Sequence, residues 1–66
     1  MKIRLNGEER DVLAAGTLAE LIAELELTGQ RIAIELNGEI APRSQHANIA
    51  LKANDRIEIV HAIGGG

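Results

Sequence analysis

The stretch Lys2-Ile3-Arg4-Leu5-Asn6-Gly7, with residues 8–13 and then Thr17-Leu18-Ala19-Glu20-Leu21-Ile22-Ala23-Glu24-Leu25, decides the fold. Ile3 and Leu5 alternate with Lys2 and Arg4, which is the period of a strand with one buried side. Asn6-Gly7 best tolerates two successive positive φ angles and marks a tight hairpin. Residues 8–13 read as the returning strand, with an apolar signal only from Val12 onward. Thr17 and Glu20 then form a Thr-x-x-Glu capping box, in which each side chain serves the other residue's backbone N–H. Leu18, Leu21, Ile22 and Leu25 follow at i, i+3, i+4 and i+7, a single apolar stripe. The pattern predicts a helix over residues 18–27, with Gly29 as its stop.

Downstream, Ile32, Ile34 and Leu36 alternate with small or polar residues over residues 31–37, a second clear strand. Asn37-Gly38 repeats the hairpin signal. Glu39-Ile40-Ala41 reads as a short strand stopped by Pro42, which has no N–H to give to a ladder. Residues 43–48 read as irregular or as one helical turn, residues 49–51 as short and extended, and Asn54-Asp55 as a turn. Residues 56–62 form the last strand, with Ile57 and Ile59 inward. The order predicts an α+β domain: a mixed sheet of four to five strands with one main helix packed across one face. The expected core is Ile3, Leu5, Leu18, Leu21, Ile22, Leu25, Ile32, Ile34, Leu36, Ile57 and Ile59. The expected organisation is a domain over residues 1–62 and a flexible glycine tail over residues 63–66.

The composition narrows the function. The 66 residues hold nine Ile, eight Leu and two Val, enough for one thin core and no second domain. Net charge is −3, with no basic stripe and no aromatic residue to stack on a base, which argues against a nucleic-acid partner. No cysteine is present, so disulfides, thiol catalysis and Cys-ligated metal are excluded. Apolar runs reach only four residues, too short for a membrane span, and a cytoplasmic protein is expected.

A catalytic set is not legible. His46 and His61 are the only histidines, and Thr17, Thr28 and Ser44 the only hydroxyl side chains. Ser44 and His46 stand at i, i+2 without a nucleophile–base pattern, and His61 reads as a strand or rim residue. Two histidines and scattered carboxylates define no metal site, and no phosphate-cradling loop occurs. No cofactor or metal is expected.

The conspicuous feature is the end, Ala62-Ile63-Gly64-Gly65-Gly66. It reads as a frayed terminus, or as a reactive one. Without Cβ atoms, glycines thread a narrow channel and allow close backbone approach. Four residues beyond Ala62 reach about 13 Å when extended. A carboxylate is a poor electrophile and needs activation, for example as an acyl-adenylate. The chain has no nucleotide-binding loop, so a partner enzyme is expected to supply that step.

The strand–hairpin–helix–strand order with a bare Gly-Gly end resembles the ubiquitin-like β-grasp fold. Within it, Leu36-Asn37-Gly38-Glu39-Ile40-Ala41-Pro42-Arg43 and the run from Asp55 to Gly66 resemble the ThiS family, the sulfur carrier proteins of thiamine biosynthesis. The Met-x-Ile start, Gly16-Thr17-Leu18 and the length match as well, so the resemblance covers essentially the whole chain. It implies a carrier, not an enzyme. An E1-like adenylyltransferase (ThiF type) joins the Gly66 carboxylate to AMP. Sulfur from a cysteine desulfurase relay replaces AMP, giving a thiocarboxylate. Thiazole synthase (ThiG type) takes that sulfur. Gly65 and Gly66 match the family's terminal pair, and Gly64 is an extra glycine beside Ile63.

The body then needs a docking surface. Val60 and Ala62 are apolar where alternation predicts polar residues, so they form a partner patch or else pack under the 42–48 loop. Arg43 and Arg56 are candidate partners for acidic groups. Three alternatives remain: the small subunit of molybdopterin synthase, a protein-conjugation modifier, and an inert interaction module.

Overall fold

A core this thin works only if every inward position of the sheet meets the one apolar stripe of the helix. The computed structural model of the chain describes residues 1–12 and 16–61. These form β1 (Lys2–Leu5), β2 (Glu8–Asp11), α1 (Leu18–Glu24), β3 (Ile32–Leu36), β4 (Glu39–Ile40), a 3₁₀ helix (Arg43–Asn48) and β5 (Arg56–His61). The strands make one mixed sheet in the order β2-β1-β5-β3-β4. β5 runs parallel to β1 and antiparallel to β3, in a register that sets Leu5 beside Ile57 and Ile32 opposite His61. This is the predicted α+β arrangement, with the last strand in the middle.

Both hairpins turn as expected. Asn6 and Gly7 have φ of 50° and 83°, Asn37 and Gly38 of 52° and 88°. Two positive φ angles give the turn a twist that matches the flanking strands. The capping box forms as drawn: Glu20 N donates to Thr17 Oγ1 at 3.2 Å and Thr17 N donates to Glu20 Oε1 at 2.9 Å. Gly16 N reaches the same carboxylate oxygen at 3.0 Å, so one acidic group serves two orphan donors at the positive end of the helix.

The helix stops earlier than its apolar periodicity predicts. It ends at Glu24, with Leu25 as C-cap, and Glu26 takes φ +61°. Leu27 N donates to Ile22 O at 2.9 Å and Glu26 N to Ala23 O at 3.0 Å, the paired bonds of a Schellman ending. Gly29 is therefore not the stop. The reason is packing: ending here folds Leu27 back onto the core that Ile22 helps to build, at the cost of putting a residue with a Cβ in the left-handed region.

Ile3, Leu18, Leu21, Ile34 and Ile57 are the largest fully buried side chains. Each contributes about 1.5–3 kcal/mol by leaving water. Ile22 and Ile59 complete the buried part of the expected core, while Leu5, Leu25, Ile32 and Leu36 pack only half-buried against it. Val12, Ala41 and Leu51 are buried although periodicity did not mark them. Each sits where the chain enters or leaves an element and is tied down by its backbone: Val12 N to Met1 O, Ala41 N to Ile34 O, and Leu51 N to Gly16 O. Residues 49–51 are held to the start of α1 by these bonds and by a Thr17–Ala50 bridge. The 3₁₀ helix packs on α1.

Replacing Glu26 by Gly removes the left-handed strain, and thermal denaturation should show a gain of about 1 kcal/mol. Replacing Thr17 by Ala removes one half of the capping box, and the same measurement should show a loss of about 1 kcal/mol.

Candidate functional site

β5 is the last described element before the C-terminal residues. Ala62, Ile63, Gly64, Gly65 and Gly66 lie outside the described residues. β5 is gripped by the two hairpin turns. Asn6 N donates to Ile57 O at 2.9 Å, while the Asn6 side-chain Oδ1 accepts from Ile59 N at 2.8 Å. On the other side Asn37 N donates to Arg56 O at 2.7 Å and Asn37 Oδ1 accepts from Arg56 N at 2.9 Å. Each Asn-Gly turn thus makes its hairpin and also clamps the central strand.

Asp55 locks the entry to β5. It is buried, and its carboxylate accepts from Asn37 Nδ2 at 3.0 Å and from Lys52 N at 2.8 Å. Its backbone carbonyl accepts from Arg4 N at 2.8 Å. Sequence reasoning saw only a turn at Asn54-Asp55, because the partners of the carboxylate are chosen by the fold.

Opposite the helix, the sheet presents an open face. The strand period puts Lys2 and Arg4 of β1, Arg56, Glu58 and Val60 of β5, Ala33 and Glu35 of β3, and Ile40 of β4 on this side. Val60 is 60% exposed and Ile40 68% exposed. Val60 stands opposite Ala33, so the reading that packs Val60 under the 42–48 loop is overturned: that loop lies on the helix side of the sheet. Ile40, beside Glu35, belongs to the same face; its exposure was hidden in the sequence because a two-residue strand shows no alternation. Charges on this face are ordered by sign. Arg4 is in register with Arg56, and Glu35 with Glu58. Like charges directly across a ladder repel. Among the described residues none of these four side chains is in an ion pair.

The expected docking residues are therefore not all brought together. Val60 and Arg56 share the open face. Arg43 does not join them: it starts the 3₁₀ helix and donates through Nη2 to Gln30 O at 2.9 Å. His46 is buried, with Nε2 donating to Ala41 O at 2.8 Å, a structural role that leaves no Ser44–His46 pair set up for nucleophilic chemistry. His61 is exposed at the end of β5 and donates through Nε2 to Gln30 Oε1 at 2.9 Å. Among the described residues no group of three His, Asp or Glu side chains converges on a metal-sized site. No helix of the structure is long and apolar enough to cross a membrane.

A five-stranded mixed sheet crossed by one helix, with the last strand at its centre, defines a ubiquitin-like β-grasp protein. The chain belongs to the ThiS family, whose family model matches residues 3–66. The sulfur carrier protein ThiS of Bacillus subtilis is 34% identical over 65 residues, covering 97% of this chain and 98% of that protein. The crystal structure of the thiamine biosynthesis protein ThiS from Geobacter metallireducens superposes with a TM-score of 0.85 at 29% identity, over 100% of both chains. A thiazole synthase of Paramagnetospirillum magneticum is 44% identical over all 66 residues, but this chain spans only 20% of its length. Family membership sets the chain with the ThiS proteins.

If the open face is the docking surface, replacing Val60 by Asp should raise the KM for the carrier in an adenylation assay about tenfold, the effect of losing roughly 1.4 kcal/mol of binding. The exposed position means that circular dichroism should show the fold retained.

Proposed function

We propose that the chain carries sulfur on the carboxylate of Gly66 and acts as a co-substrate of partner enzymes, with no catalytic group of its own. The observation that carries this is the match to the ThiS family over residues 3–66, in a chain whose last residues are Gly64-Gly65-Gly66. An E1-like adenylyltransferase (ThiF type) binds the folded body and receives residues 63–66 as a slender tail, distinct from the domain of residues 1–62. A Gly66 carboxylate oxygen bonds to the α-phosphorus of ATP and pyrophosphate leaves. The terminal sulfur of a persulfide from a cysteine desulfurase relay then bonds to the acyl carbon and AMP leaves; a thiol reductant cleaves the resulting acyl disulfide, forming a disulfide with the relay sulfur, and a thiocarboxylate remains. Thiazole synthase accepts that sulfur. The thiazole synthase of Paramagnetospirillum magneticum, with a segment similar to this whole chain, supports such a partnership. We place these events in the cytoplasm.

The open sheet face is the body's docking surface in this proposal. Val60 and Ala62 supply apolar contact to the partner, and Arg56 and Arg43 contribute charge. The like-charge pairs Arg4–Arg56 and Glu35–Glu58 disfavour one another in the free carrier. A partner that sets an acidic group against the arginines and a basic group against the glutamates relieves both repulsions on binding, which favours the correct partner over others.

Incubation with ATP, the adenylyltransferase of the same organism and a sulfur source should yield, by intact mass spectrometry, first an AMP adduct and then a species in which one terminal oxygen is replaced by sulfur. Deletion of Gly66 should abolish both while leaving the thermal midpoint unchanged. An unmodified mass for the full-length chain would overturn the proposal.

A further inference from the structure

Gln30 is exposed, yet each of its hydrogen-bonding groups has a partner. Its backbone N donates to Leu27 O at 3.1 Å and its carbonyl accepts from Arg43 Nη2 at 2.9 Å. Its side-chain Oε1 accepts from His61 Nε2 at 2.9 Å, and its Nε2 donates to Glu26 O at 3.4 Å. One residue thereby joins the turn that ends α1, the first residue of the 3₁₀ helix and the last residue of β5.

Stability does not account for this arrangement. Immobilising an exposed glutamine costs side-chain entropy comparable to what its two exposed side-chain hydrogen bonds return, so the cluster confers order more than stability. Its location says which order matters. β3 begins at Ile32, opposite His61, so the ladder that holds β5 ends at this pair. The Gln30–His61 bond continues the grip where the ladder stops, on the residue from which Ala62 to Gly66 continue.

We propose that Gln30 is a positioning residue for the reaction at Gly66: by holding His61 against the helix-end turn and Arg43, it fixes the residue from which the chain runs on to Gly66. This rests on the proposal that Gly66 is adenylated. Docking of the body is made by the open face, whereas delivery of the carboxylate depends on where His61, five positions before Gly66, is held. An error in that position withholds the reacting atom from the active site without weakening the docking.

Steady-state adenylation of the full chain, with ATP and the adenylyltransferase of the same organism, separates the two effects. Gln30→Ala should lower kcat about tenfold, in line with the sensitivity of bound reactions to misplacement. The KM for the carrier and the melting temperature should stay unchanged. Gln30→Glu keeps an oxygen to accept from His61 Nε2 and should restore most of kcat. His61→Ala should match Gln30→Ala, and the double variant should be no worse than either single one. An unchanged kcat in Gln30→Ala, a loss confined to KM or to melting temperature, or a Gln30→Glu variant as impaired as Gln30→Ala would each overturn the positioning role while leaving the carrier proposal intact. A wild-type chain that forms no AMP adduct would overturn both.

Discussion

The grip on β5 is the constraint on which the rest of the molecule depends. A strand that enters the sheet last, between β1 and β3, has to find partners on both edges at once. Ladder bonds supply most of them, and the side chains of Asn6 and Asn37 supply two more, to the N–H groups of Ile59 and Arg56. Buried or half-buried N–H groups without acceptors are costly, so these amides settle β5 in one register. Register in turn decides which side of β5 is wet. A slip by one residue would carry Ile57 and Ile59 out to solvent and bring Arg56, Glu58 and Val60 against α1. The core and the open face thus follow from a single pairing.

That pairing also divides the labour of the molecule. The helix side is filled by aliphatic side chains and closed by His46, whose ring is spent on a backbone carbonyl. The open side keeps Val60 and Ile40 in water and sets like charges across the ladder, features that weaken an isolated domain and suit one that meets a partner. In the proposed role the chain needs a surface that a partner recognises, and the open face of β5 is where the proposal puts it.

Much of this was legible residue by residue. The hairpin at Asn6-Gly7, its repeat at Asn37-Gly38, the Thr17–Glu20 capping box and the inward alternation of Ile57 and Ile59 are each set by neighbours a few positions apart, and each appears in the structure. The end of the helix was misplaced, because the apolar stripe runs on through Leu25 while the chain reverses at Glu26 to return Leu27 to the core. Val12, Ala41 and Leu51 escaped notice because they lie at element boundaries, where burial follows from what packs above them. The candidate site was legible in part. The glycine end and Val60 stood out as departures from pattern, whereas Ile40, the charge pairs and the Gln30 cluster needed strands and turns to be brought side by side.

The sequence alone determined the elements, their order and the family, because turn chemistry, capping and period act over spans of two to seven residues, and because the Asn37 to Arg43 run and the terminal glycines are local marks. Only the tertiary structure decided that β5 lies at the centre, that it runs parallel to β1, that Arg43 stands apart from Arg56, and that Gln30 reaches His61. Asn6 and Ile59 are 53 residues apart, and Gln30 and His61 are 31. Pairs so distant leave no periodic trace in a chain; they are chosen by the collective requirement that the apolar face be buried while every inner N–H finds an acceptor.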